Sequence, residues 1–126
     1  MKIHKIDELN FLKKGYLIKK AENKNALNYI NHSIMKNLFK IIKLPKKNIN
    51  NFSYNQLHNY LSVEELNDVR LKLIKSINSD KKFRVSYFEL AKTQLKNIIG
   101  NELAMQKNIN ISIQLPQDEN SLLPIH

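Results

Sequence analysis

Four histidines are the most versatile chemical groups in a chain of 126 residues with no cysteine and no tryptophan. An imidazole can bind a metal or move a proton near neutral pH. His4, His32 and His58 share no spacing typical of a metal site, and His32 and His58 read as helix-surface residues. The absence of cysteine excludes a disulfide scaffold, a thiolate zinc site and a thiol nucleophile. Glu64, Glu65 and Asp68 form the one carboxylate cluster with the look of acid–base machinery. Glu64 and Glu65, however, fall in the first turn of a predicted helix, where acids favour the dipole. No Ser-His-Asp order, glycine-rich phosphate loop or HExxH pattern is present. Tyr54, Tyr60, Phe83, Tyr87 and Phe88 could stack on bases, but their helical spacing suits core positions.

The formal net charge is +10, which points toward an anionic partner. The basic residues are 19 Lys and only two Arg, Arg70 and Arg84, whereas base and phosphate recognition leans on Arg. Eighteen Asn and 16 Ile accompany the Lys, and all three are encoded by A/T-rich codons. Residues 1–50 carry net +9 and residues 51–126 net +1. A Lys-rich surface of codon-driven origin accounts for most of this, and nucleic acid is not the expected partner. No apolar run approaches the roughly 20 residues of a membrane span. No membrane association and a cytoplasmic location are the expectations.

The elements that would position any site are mainly helices, because only two Gly and three Pro interrupt the chain. Residues 7–14 predict a short helix with Gly15 as a left-handed cap, and Tyr16-Leu17-Ile18 a short strand. Residues 25–42 predict a longer helix with Leu27, Ile30, Ile34 and Leu38 on one face, stopped by Pro45. Three Ser-x-x-Glu/Gln capping boxes follow. Ser53 would open a helix to about Tyr60. Ser62 would open one to about Ile77, burying Leu66, Val69, Leu73 and Ile77. Ser86 would open one to about Ile99, burying Phe88, Ala91, Leu95 and Ile98, with Gly100 as its stop.

After Gly100 the period changes. Ile109, Ile111, Ile113 and Leu115 alternate with Asn108, Asn110, Ser112 and Gln114, the pattern of a strand with one buried face. Such a strand needs partners, and the preceding chain offers only Tyr16–Ile18 and Phe83–Val85. The apolar ending Leu122-Leu123-Pro124-Ile125-His126 adds to the expectation that the sheet mostly lies beyond residue 126.

Residues 100–126, from Gly100 through Leu115-Pro116 to Leu123-Pro124-Ile125-His126, resemble a family of Fe(II)/2-oxoglutarate-dependent oxygenases. The similar branch occurs in sporadically distributed bacterial carbohydrate-biosynthesis gene clusters. Ser86-Tyr87-Phe88-Glu89-Leu90-Ala91 matches the same branch loosely. Phe11-Leu12-Lys13-Lys14-Gly15-Tyr16 resembles the helix–Gly–Tyr–strand opening of many such oxygenases. In that family a Leu-Pro-x-His segment is followed by one residue and an Asp, and both His and Asp bind iron together with a distant His. The resemblance therefore implies that His126 is an iron ligand. The Asp, the distal His and the basic partner of 2-oxoglutarate fall past the end, so the chain alone is expected to be inactive. Two imidazoles and one carboxylate leave open positions on iron for 2-oxoglutarate and O₂. Gln106, Asn108, Asn110, Ser112 and Gln114 would then line the cavity and contact cofactor or substrate, or be the polar side of an amphipathic strand. Both alternatives stay open.

The expected fold class is α+β: a helical N-terminal layer followed by the first strands of a double-stranded β-helix, a jelly-roll relative. The expected organisation is one incomplete domain, with residues 1–100 mainly helical and residues 101–126 opening the β core. The expected function is the N-terminal part of an oxygenase that acts on a small molecule, a sugar or sugar-derived precursor, using Fe(II) and 2-oxoglutarate. The alternative is a small basic helical module that presents Lys-rich residues 13–47 to nucleic acid or an acidic partner.

Overall fold

The computed structural model describes residues 2–44 and 52–116, with side chains from Lys5 onward. Five α-helices account for most of it: α1 (Lys2–Lys14), α2 (Lys24–Ile42), α3 (Val63–Asn78), α4 (Lys81–Glu89) and α5 (Lys92–Ile99). A 3₁₀ turn spans Tyr54–Asn59. There is no strand among the described residues, which overturns the expected α+β class and its double-stranded β-helix. No helix among them is long and apolar enough to cross a membrane.

The chain forms two compact units, Met1–Asn31 with Lys81–Lys107, and His32–Asp80 with Asn108–His126. In the first, α5 packs against both α1 and α4. Its buried positions are Ala26, Ile30, Phe83 and Ser86. In the second, α3 is the organising element. Leu66, Val69, Leu73 and Ile77 are all buried along one stripe, as their spacing predicts. Leu38, Leu57, Leu61, Ile109 and Leu115 complete that core, and Phe52 meets Phe39, Tyr54 and Tyr60 in ring contacts at 5.1–6.4 Å.

The helix ends follow local rules where a side chain is free to supply a cap. Ser62 and Glu65 form the predicted capping box, each side chain bonding the other's backbone N–H. Asn23 caps α2, its Oδ1 accepting from Ala26 N–H at 3.0 Å. Gly15 (φ +78) closes α1, its N–H donating to Phe11 carbonyl at 2.7 Å. Gly100 (φ +88) closes α5. The C-terminus of α2 uses a less usual residue: Lys43 sits in the left-handed region at φ +53, and Leu44 N–H returns to Phe39 carbonyl. Pro45, the expected stop, lies outside the described residues.

Several predicted elements differ, among them the Tyr16-Leu17-Ile18 strand, which is irregular backbone. The Ser53 box does not form: Ser53 makes no side-chain cap and a 3₁₀ turn replaces the helix. Phe83–Val85 is not a strand but part of α4, where Phe83 and Ser86 share a buried stripe at helical spacing. Ser86 therefore lies inside a helix instead of opening one. The predicted single helix from Ser86 to Ile99 is broken at Leu90–Ala91, and the reason is Glu22. Its N–H donates to Leu90 carbonyl at 3.0 Å. Its carboxylate accepts from Thr93 N–H at 2.8 Å and from Gln94 N–H at 3.3 Å, capping α5. Residue 22 is some 70 positions away in the chain, so no local pattern announces the break.

Candidate functional site

The residues expected to do chemistry converge on the extended segment 101–116, so the site is built from how that segment is held. The alternation read from the sequence is real. Ile109 and Leu115 are buried, Ile111 and Ile113 half-buried, while Gln106, Asn108, Asn110, Ser112 and Gln114 are all exposed. The five polar residues alternate with these apolar ones along the chain, and Gln114 borders an indentation.

Side chains replace the missing neighbouring strand. Asn78, the last residue of α3, brackets one peptide of the segment: Oδ1 accepts Ile109 N–H at 2.8 Å and Nδ2 donates to Ile109 carbonyl at 2.9 Å. This is the hydrogen-bond pair that one residue of an antiparallel partner would supply. In the first unit Arg84 uses its fork on two alternate carbonyls, Nη2 to Met105 at 3.1 Å and Nη1 to Lys107. Backbone hydrogen bonds to Asn110–Leu115 are absent among those the described residues make outside helices.

One indentation borders the segment. Gln114, Leu115 and Pro116 meet Tyr54, Asn55, Leu57 and His58 around a cavity of about 270 Å³. Its polar groups are two amides, a phenol and an imidazole, with no Lys, Arg, Asp or Glu among the lining residues. Burial raises the Tyr54 hydroxyl above its ordinary pKa, so that group stays a neutral donor. Such a lining suits an uncharged polar small molecule. A second pocket, about 230 Å³, lies in the first unit beside the 2.7 Å Asp7–Lys19 ion pair and is lined by Leu17 and Ile98.

The other candidates resolve plainly. His126 lies outside the described residues, and so does the side chain of His4. His32 is exposed on α2. No group of three His, Cys, Asp or Glu side chains that could hold a metal occurs among the described residues. The carboxylate cluster is structural: Glu65 closes the capping box and Asp68 pairs with Lys72 at 2.6 Å. Of the aromatics, Phe83 is core, while Tyr54, Tyr60 and Tyr87 remain exposed. Sequence reasoning missed Asn78 and Arg84. An Asn at a helix end and a lone Arg carry no signal of their partners, which lie 31 and 21 to 23 positions away.

The first unit holds 13 basic and five acidic residues, net +8, and the rest of the chain eight and six. The fold thus gathers Lys81, Lys82, Lys92, Lys96 and Lys107 with the N-terminal lysines, which residue order alone does not reveal.

No known family matches the chain, and no curated protein or solved structure is significantly similar to it.

Proposed function

We propose that this chain is the mainly helical N-terminal portion of an Fe(II)/2-oxoglutarate-dependent oxygenase that acts on a small neutral polar molecule, such as a sugar or sugar-derived precursor. The observation that carries the reading is a coincidence of place. Within the stretch that resembles the oxygenases, residues 106–114 carry the exposed polar row, and Gln114, Leu115 and Pro116 form one wall of the indentation beside Tyr54 and His58. A sheet is not part of this reading.

The described residues do not fit an iron centre, so no catalytic step is assigned to them. His126 is the one ligand the reading names. The work of the described residues is to hold and present: Asn78 and Arg84 fix the backbone of the segment, and Gln114, Asn55, Tyr54 and His58 offer hydrogen bonds to a hydroxyl-bearing ligand.

The test is turnover by the product of the whole reading frame. Succinate should form from 2-oxoglutarate under O₂ with Fe(II), and His126→Ala should abolish it. No succinate together with no iron binding overturns the proposal.

A second reading, a basic helical module for a polyanion, is favoured by the net +8 of the first unit. Binding of heparin or duplex DNA should then fall steeply with salt as counterions are released. Affinity unchanged between low and physiological salt removes it.

A further inference from the structure

Helix α1 is turned the wrong way round for a surface helix. Its inner side, packed toward α5, presents Asp7, Asn10 and Phe11, all half-buried. Its outer side presents Ile6, Leu9 and Leu12, with 58%, 58% and 72% of their surface exposed. Each step of three residues turns the helix back by about 60°, so these three span an arc of about 120°. Tyr16 and Ile18, just beyond the helix, are exposed as well, at 58% and 87%. An ordinary amphipathic helix buries such a row, and a contiguous apolar patch left in water marks an interaction surface.

The charges within the arc decide what covers it. Lys5 and Lys13 lie about 40° to either side of Leu9, inside the apolar arc, and no acid lies there. A bilayer would have to take up two ammonium groups at the centre of the inserted face, where a membrane-surface helix keeps its apolar stripe free of charge. A second copy related by a two-fold axis would set this face against itself, Lys5 and Lys13 included, within units of net +8. A protein surface that interleaves apolar side chains with carboxylates matches both features at once.

We infer that the outer face of α1 docks an acidic amphipathic helix of a partner protein, seating Ile6, Leu9 and Leu12 on its apolar stripe and pairing Lys5 and Lys13 with its carboxylates. This stands apart from the oxygenase reading and gives the basic-module reading a specific surface.

The probe is a fluorescein-labelled helical peptide of about three heptads with Leu at the core positions and Glu beside them, titrated with the whole chain by anisotropy. The chain should bind it. Leu9→Ser and the double change Lys5→Glu, Lys13→Glu should each weaken binding by about tenfold or more. The same peptide with Lys in place of Glu should not bind. Leu9→Ser should leave heparin affinity and the melting temperature unchanged, which separates this surface from a general polyanion site and from misfolding. Failure of the acidic peptide to bind overturns the inference. So does Leu9-dependent sedimentation with phosphatidylcholine–phosphatidylserine vesicles in its place, or Leu9-dependent dimerisation in sedimentation equilibrium.

Discussion

Asn78 and Ile109 make a two-way hydrogen-bonded pair across 31 positions of chain, amide oxygen to N–H and amide nitrogen to carbonyl, at 2.8 and 2.9 Å. The same Nδ2 also reaches Ile74 carbonyl at 2.8 Å, tying the segment to the last turn of α3. Ile109 is buried, so its peptide would otherwise be left without a partner in a dry place.

Asn78→Ala removes both bonds and leaves that peptide unsatisfied. The expected loss is about 2–4 kcal/mol, at roughly 1 kcal/mol per bond plus desolvation. A shifted urea midpoint would show it, with faster exchange of the Ile109 amide proton. Asn78→Asp should be nearly as harmful, because a carboxylate cannot donate to the Ile109 and Ile74 carbonyls.

Arg84→Lys tests geometry against charge. The ammonium keeps the positive charge but cannot fork onto the Met105 and Lys107 carbonyls together. Cleavage after Lys107 by trypsin under native conditions should quicken severalfold while global stability falls by only about 1 kcal/mol.

Ser62→Ala should cost α3 about 1 kcal/mol through loss of the box. It also has a titration signature. The Glu64 carboxyl is held below its ordinary pKa by its own backbone N–H first and by the Ser62 hydroxyl second. A carboxyl lowered in the folded state stabilises above the unfolded pKa, and the contribution is lost as pH falls through the folded pKa. Carboxyl NMR titration should find the Glu64 pKa moved upward in the variant and the acid-side loss of stability reduced.

Lys43→Gly should stabilise. Lys43 holds φ +53 at the end of α2, a conformation that costs a side-chain-bearing residue about 1 kcal/mol and glycine almost nothing. A rise in melting temperature of a few degrees is the expected result.

Most of what could be read in advance rested on partners near in sequence, although the local Ser53 box did not form. The stripe Leu66–Val69–Leu73–Ile77, the Ser62 box and the glycine stops were all legible, since each is settled within a turn or two. The α2 face was half legible: Ile30 and Leu38 are buried, but Leu27 is 37% exposed and Ala26 and Ser33 are buried in its neighbourhood. The period of two after Gly100 correctly identified which side chains turn inward, yet it did not imply a sheet. An alternating segment needs only one apolar face to rest on, and here two polar side chains supply the bonds a partner strand would have made. The polar row Gln106 to Gln114 was legible as a row; the indentation at its end needed Tyr54 and His58, which come from the 3₁₀ turn.

Glu22 carries a consequence for the order in which this molecule assembles. The contacts that split α4 from α5 span 71 and 72 positions, whereas the helical bonds on either side span four. Short loops close first. Lys81–Ile99 is therefore expected to appear early as one continuous helix and to be cut in two late, when residue 22 arrives. A contact made after the rate-limiting barrier alters the unfolding rate and hardly the folding rate. In stopped-flow experiments Glu22→Ala would then unfold faster, fold at nearly the native rate, and settle with the two short helices rejoined.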